Sequence, residues 1–334
     1  MMKKLFLLIF IFLFLISCTK KERKPDISNI SLNIKINRLE KDLFLENIEN
    51  IADSLDVIKK KYGVFFDLFT SGIIRIGHSN SPEFINNIKS FVTDYTVYQA
   101  YESTIATYPD INDLEKQLTK AFKYYKYYFP EKPIPAIFTY ISGFNESIIV
   151  GDTFLAIGLD KYLGRDSKFY KLLMVPEYLI TNMHKDMIIS DCIKAWALTE
   201  YPYSDSVNNL ISNSIYNGKI HYFQKCMLPD APDSIIMGYT KEQIEWCIKN
   251  EKKMWEYLIE QKLIYDKSLS SINNFTKDGP FTKDFGRKSP GRAVNWLGWQ
   301  IIKAYMKKNI EISLKELMNE NDYQKILLKA KYRP

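Results

Sequence analysis

The chain has 334 residues, a formal net charge of +7, and 46% hydrophobic against 25% charged residues. That balance belongs to a folded globular protein and excludes a disordered chain. Much of the positive charge sits at the start, in Lys3, Lys4, Lys20, Lys21, Arg23 and Lys24, so the body is close to neutral and gives no case for nucleic-acid binding.

Lys3 and Lys4 precede a wholly apolar run from Leu5 to Ile16. The run is shorter than the ~20 residues of a spanning helix and fits a secretory signal. Leu15, Ile16, Ser17 and Cys18 then resemble the bacterial lipobox. The chemistry needs a thiol there: the Cys18 sulfur takes a diacylglycerol, the chain is cut before it, and the freed amine is acylated. Each buried methylene contributes ~0.8 kcal/mol, so two or three acyl chains hold a protein to a membrane firmly. Thr19 to Asp26 is polar and reads as a flexible tether. The expected organisation is a signal peptide over 1–17, a lipidated tether over 18–28 and a single globular domain over 29–334. A lone Glu22 among lysines favours a body facing the periplasm.

Within the body, Ile30, Leu32, Ile34 and Ile36 alternate with polar residues and predict a half-buried strand. A helix follows over Ala52 to Lys61. Ser81-Pro82 predicts the start of another, with Phe84, Ile88 and Phe91 on one face. Asp110 to Phe129 is amphipathic and ends in an aromatic run from Tyr124 to Phe129. Ile134 to Ile141, Ser147 to Val150 and Phe154 to Leu159 read as strands joined by turns, the pattern of antiparallel hairpins. Helices are then predicted over Phe169 to Met183, Asp186 to Thr199 and Ser206 to Phe223. Thr240 with Gln243 makes a capping box for a helix reaching Lys262, and Ser313 with Glu316 makes a second, opening the final helix. Ser289-Pro290-Gly291 begins a further helix, on which Gly298 allows close approach by a neighbour. The fold class is α+β and helix-rich, with a small, mainly antiparallel sheet.

Candidate chemistry is sparse. His78, His184 and His221 lack the one-turn spacing of a zinc helix, and no nucleophile elbow, P-loop or dinucleotide motif is present. Cys192, Cys226 and Cys247 match no zinc spacing and read as small packing residues. No catalytic residue, metal or cofactor is assigned. Asp191, at the edge of an apolar helical arc, is the acid most worth testing, because a buried carboxylate there would need hydrogen bonds. The tyrosines near Tyr124 to Phe129 would serve a glycan- or nutrient-binding role, with helix-end packing the simpler reading.

Several unusual segments occur together in one order. They are Ile157-Gly158-Leu159-Asp160-Lys161-Tyr162-Leu163-Gly164, Asn217-Gly218-Lys219-Ile220-His221-Tyr222-Phe223, Gly238-Tyr239-Thr240 with Trp246, Gly279-Pro280-Phe281-Thr282, Ser289-Pro290-Gly291-Arg292, Gly298-Trp299-Gln300 and the closing Lys331-Tyr332-Arg333-Pro334. On these the chain resembles the gliding motility-associated lipoproteins GldB of the Bacteroidetes. The resemblance implies a lipid-anchored envelope protein that supports gliding motility, and the absence of an H-E-x-x-H motif makes a non-catalytic role the expected one. Its expected partners are the membrane, through Cys18, and envelope proteins of the gliding or type IX secretion machinery. A weaker likeness concerns fold. The order of sheet and helices looks like a zincin-type protease lacking its metal, with Ser190 and Lys194 in place of two zinc-binding histidines and Asn217 in place of a third ligand. On that likeness the rival function is an unusual hydrolase using Asp191.

Overall fold

The computed structural model describes residues 24–44, 51–204 and 208–334. Cys18 and the signal segment lie outside these residues. The fold is helix-rich α+β. In chain order, β1 (Ile36–Arg38) leads directly into α1 (Leu39–Phe44). Then come α2 (Ile51–Tyr62), α3 (Val64–Leu68), α4 (Phe84–Thr93), α5 (Tyr95–Thr107) and α6 (Asn112–Tyr128). Strands β2 (Ala136–Tyr140), β3 (Ile148–Val150) and β4 (Phe154–Gly158) follow. The second half is helical: α7 (Lys168–Leu172), α8 (Glu177–Ile180), α9 (Ile188–Glu200), α10 (Leu210–Met227), α11 (Asp233–Met237) and α12 (Lys241–Glu260). It closes with α13 (Leu269–Thr276), α14 (Val294–Lys308), α15 (Leu314–Asn319) and α16 (Tyr323–Ala330).

The sheet corrects the antiparallel expectation. Its order is β1-β2-β4-β3, with β1 parallel to β2, β2 parallel to β4, and only β3 antiparallel to β4. The loop after β2 carries the chain past the place β4 will take, so β3 forms the edge and β4 returns between them. The reason is burial on both faces. Leu155 and Ile157 of β4 face one apolar cluster, built on α6, α9 and α10, while Phe154 and Ala156 face a second, built on α1 to α4. A central strand covered on both sides needs a continuous apolar run, and Phe154–Gly158 is buried at every position. Phe65 stacks on Phe138 at 5.0 Å in the second cluster.

Other boundaries moved for local reasons. The alternating residues before Ile36 pair with a helix, not a strand: Ile34 N–H donates to Thr119 Oγ1 at 3.0 Å and Ile36 N–H to Glu115 Oε1 at 3.0 Å. The helix predicted over Phe169 to Met183 is broken into α7 and α8, because Met174 is left-handed (φ 50°) and Val175 precedes Pro176. Ser81 and Ser289 precede turns, so their helices begin later, at Phe84 and Val294. Both capping boxes form, at Thr240–Gln243 and Ser313–Glu316. The second opens the short α15, and a separate α16 ends the fold.

Helices α10 and α14 touch backbone to backbone. A Cβ added at Gly218 would lie 2.3 Å from the Gly298 carbonyl, and one at Gly298 would lie 1.8 Å from Ser214 O. Gly298 therefore has the close neighbour that its sequence position suggested. Below this crossing, Lys219 is buried (1% exposed) and donates to the carbonyls of Met318 at 2.9 Å and Glu320 at 2.7 Å. Burial lowers its pKa to about 8. At the other end of the chain, Lys24 pairs with Asp230, which also pairs with Lys120 at 2.8 Å. Among the described residues no helix is long and apolar enough to cross a membrane.

Candidate functional site

A cleft of about 460 Å³ opens between the sheet edge and the helical half. Helix α9 forms its floor. Ile188, Ile189, Cys192, Ile193, Trp196 and Ala197 bury one face of that helix in the core. Ser190, Asp191, Lys194, Ala195 and Leu198 recur at helical spacing on the other face and line the cleft. Ser147 and Ile148 of the β3 edge form one wall, with Lys161 and Tyr162 from the turn after β4. Val175, Leu179 and Asn182 line the cleft as well.

The end of the cleft is assembled from two glycine-containing loops. A Cβ at Gly291 would lie 2.2 Å from Gly279 O, so only glycine allows the loops to meet there. Thr282 Oγ1 donates to Pro290 O at 2.8 Å and accepts from Ala293 N–H at 3.0 Å, and Ser289 Oγ donates to Thr282 O at 3.1 Å. This pin brings Arg292 to Asp278, Nε to Oδ1 at 2.8 Å. Tyr239 supports it from below: its hydroxyl donates to Gly291 O at 2.7 Å, and its ring lies 5.2 Å from the Arg292 guanidinium.

On the floor, Asp191 is half-buried and accepts a hydrogen bond from Tyr162 OH at 2.9 Å. Burial holds its carboxyl above the usual range, offset by the Lys194 charge and the Tyr162 bond. Burial and the nearby Arg292 push Lys194 below the ordinary lysine range. Lys194 has no hydrogen-bond or ion-pair partner among the described residues. Ser190 Oγ donates to Ile235 O at 3.0 Å and accepts from Gln224 Nε2 at 2.9 Å. Gln224 Oε1 lies 3.0 Å from His221 Nδ1. His221 is fully enclosed, and burial, with Lys194 and Arg292 adding to it, lowers its pKa to about 3, so it is neutral.

The residues singled out in the sequence separate clearly. Asp191 is in the cleft. His78 is exposed, His184 lies before α9 and His221 is buried, so the three do not converge. No cluster of three His, Cys, Asp or Glu side chains among the described residues is placed to hold a metal. Cys192 and Cys247 are buried, and none of the three later cysteines is in a disulfide. Of the aromatic run, Tyr124, Tyr125 and Phe129 are in the core, and only Tyr127 is exposed, edge-on to the half-buried Tyr128 at 5.1 Å. Tyr162, Gln224 and Arg292 help carry the cleft and were not assigned to a site from sequence, whereas Lys194 had been placed only as a stand-in for a zinc ligand. The available signal was the polar stripe Ser190, Asp191, Lys194 on an otherwise apolar helix.

The family model described as gliding motility protein GldB matches residues 20–334. The chain belongs to the GldB family. Membership makes it a gliding-motility lipoprotein of the cell envelope. No curated protein and no solved structure matches it. The zincin likeness finds no support. Ser190 is tied to Ile235 and Gln224, and Asn217 donates to Asn213 O within α10 instead of lining the cleft. The α10 residue that does line it is Gln224. Parts of the segments that carry the GldB resemblance meet at this cleft: Lys161 and Tyr162, Gly238 to Thr240, Gly279, and Gly291 with Arg292.

Proposed function

We propose that this GldB-family chain acts in gliding by non-catalytic contacts with other envelope proteins, held to the membrane by a lipid on Cys18 and facing the periplasm. The observation that supports a binding role is the commitment of the polar groups on the cleft floor. The Ser190 proton goes to a backbone carbonyl, Asp191 is held by Tyr162, Arg292 by Asp278, and His221 is buried and neutral. Such a network gives a rigid, shaped surface. The lipid confines the protein to two dimensions and raises its effective concentration near membrane partners, so modest interfaces suffice.

The test is a pull-down of the intact, detergent-extracted protein from its own cells, with Cys18→Ala in parallel. Recovery of gliding or type IX secretion components, reduced when the lipid is absent, is the expected result. Recovery of none refutes the contact role. Cys18→Ala should also release the protein from membranes; unchanged fractionation and lipid labelling would refute the anchor.

A further inference from the structure

We infer that the cleft receives an extended, acidic peptide segment of another protein, added as a strand along the free edge of β3 with a carboxylate on Lys194 and Arg292. This rests on the protein-contact reading above and names the chemistry of what the cleft holds. The first support is the edge itself. Gly158 N–H donates to Ser147 O at 2.8 Å and Gly151 N–H to Phe154 O at 2.9 Å, so residues 147, 149 and 151 turn their backbone groups toward β4. By the alternation of an antiparallel ladder, the N–H and C=O groups of Ile148 and Val150 point away from the sheet. No group among the described residues takes them. Ser147 and Ile148 line the cleft, so this unpaired edge opens into it. Exposed edges of this kind are templates for strand addition.

The second support is charge. Lys161, Lys194 and Arg292 line the cleft against Asp191 and Asp278. Asp191 is engaged by Tyr162 and Asp278 by Arg292; Lys194 feels both carboxylates but hydrogen-bonds to neither, and three cations face two anions. A carboxylate entering from the β3 side completes that set with charge-assisted hydrogen bonds. The third support is the apolar lip. Val175 and Leu179 line the cleft, and just before them in the chain Leu172 and Met174 are 74% and 86% exposed. A strand presents side chains alternately to two sides, so one set reaches the cations while the other packs on the lip. A free small anion would leave both the edge and the lip unused.

Random peptides displayed on phage are panned against the full chain in detergent micelles, and enriched peptides are resynthesised with fluorescein for anisotropy titration. Enrichment of peptides with an acid in an extended, apolar-alternating context is expected. Changing that acid to its amide should weaken binding about tenfold, the size of one charge-assisted hydrogen bond. Lys194→Gln should do the same and Lys194→Arg should restore binding. N-methylation of alternate peptide amides should weaken binding as well. The changes made on the peptide test the same contacts without touching the fold. No enriched peptide, or binding indifferent to the acid, to Lys194→Gln or to N-methylation, overturns the inference. Displacement by free glutamate with no effect of N-methylation makes the cleft a small-anion site and overturns it too. If panning fails while the cellular pull-down still recovers envelope proteins, this inference fails and the protein-contact reading stands; failure of both removes both.

Discussion

Gly298→Ala adds one methyl group at the point where α10 and α14 meet. Its Cβ would sit 1.8 Å from Ser214 O, 2.4 Å from Ser214 C and 2.7 Å from Ser214 Oγ. Non-bonded carbon and oxygen need about 3.3 Å, so the helices must part by roughly 1.5 Å or shear. The partner atom is backbone inside a helix and cannot rotate away. Overpacking of this kind costs about 1–3 kcal/mol. Parting the helices also strains the bond from Ser214 Oγ to Val294 O, 2.7 Å long and buried, for a further ~1 kcal/mol. Alanine returns ~1 kcal/mol of helix propensity. The net is a loss of about 1–3 kcal/mol, or roughly 2–6 °C in melting temperature for a body of this size. Thermal unfolding followed by circular dichroism measures it. Gly72→Ala is the matched control, since its Cβ meets only the flexible end of Leu68, at 3.1 Å. A melting temperature for Gly298→Ala equal to or above the parent's would refute the backbone-contact argument.

Two buried groups give opposing pH dependences. Burial raises Asp160 from 3.8 to about 6 against the N–H bonds of Phe144 and Ser142, and burial lowers His221 from 6.5 to about 3. The Asp160 contribution is therefore complete below about pH 4 and lost as pH rises through about 6, whereas the His221 contribution is present above about pH 6.5 and lost as pH falls toward 3. In urea titrations across this window, the stability of Asp160→Asn relative to the parent should rise with pH by an amount on the order of 3 kcal/mol. That of His221→Gln should fall; pH-independent differences would contradict both assignments. Tyr162→Phe removes the donor to Asp191, so the Asp191 carboxyl, followed by NMR, should titrate higher than in the parent; an unchanged titration would show that the bond is not made. Lys219→Met leaves the Met318 and Glu320 carbonyls without their donor and should lower stability by about 2 kcal/mol, read as a lower urea midpoint; an unchanged midpoint would mean water replaces the ammonium.

The proposed anchor at Cys18 rests on sequence alone, because a lipidation signal is a short run of residues and Cys18 lies outside the described structure. Short-range physics was equally legible. The capping boxes at Thr240 and Ser313 form because their partners are three residues away. The β3–β4 hairpin forms at Gly151-Asp152, and the apolar face of α6 packs as its spacing predicts. The direction of the sheet was decided elsewhere. Ile36 pairs with Ile137 and Ala136 with Phe154 only because helices cover both faces, and no local signal reports a second covering layer. The continuous apolar run Phe154 to Gly158 was the one trace of it. The cleft is likewise tertiary. Tyr162, Asp191, Lys194 and Arg292 are ordinary residues one at a time, and their chemistry appears only when the Gly279–Gly291 contact and the α10–α14 crossing bring distant segments together. Electrostatic and hydrogen-bond partners act over a few ångströms in space, a distance that separation along the chain does not encode.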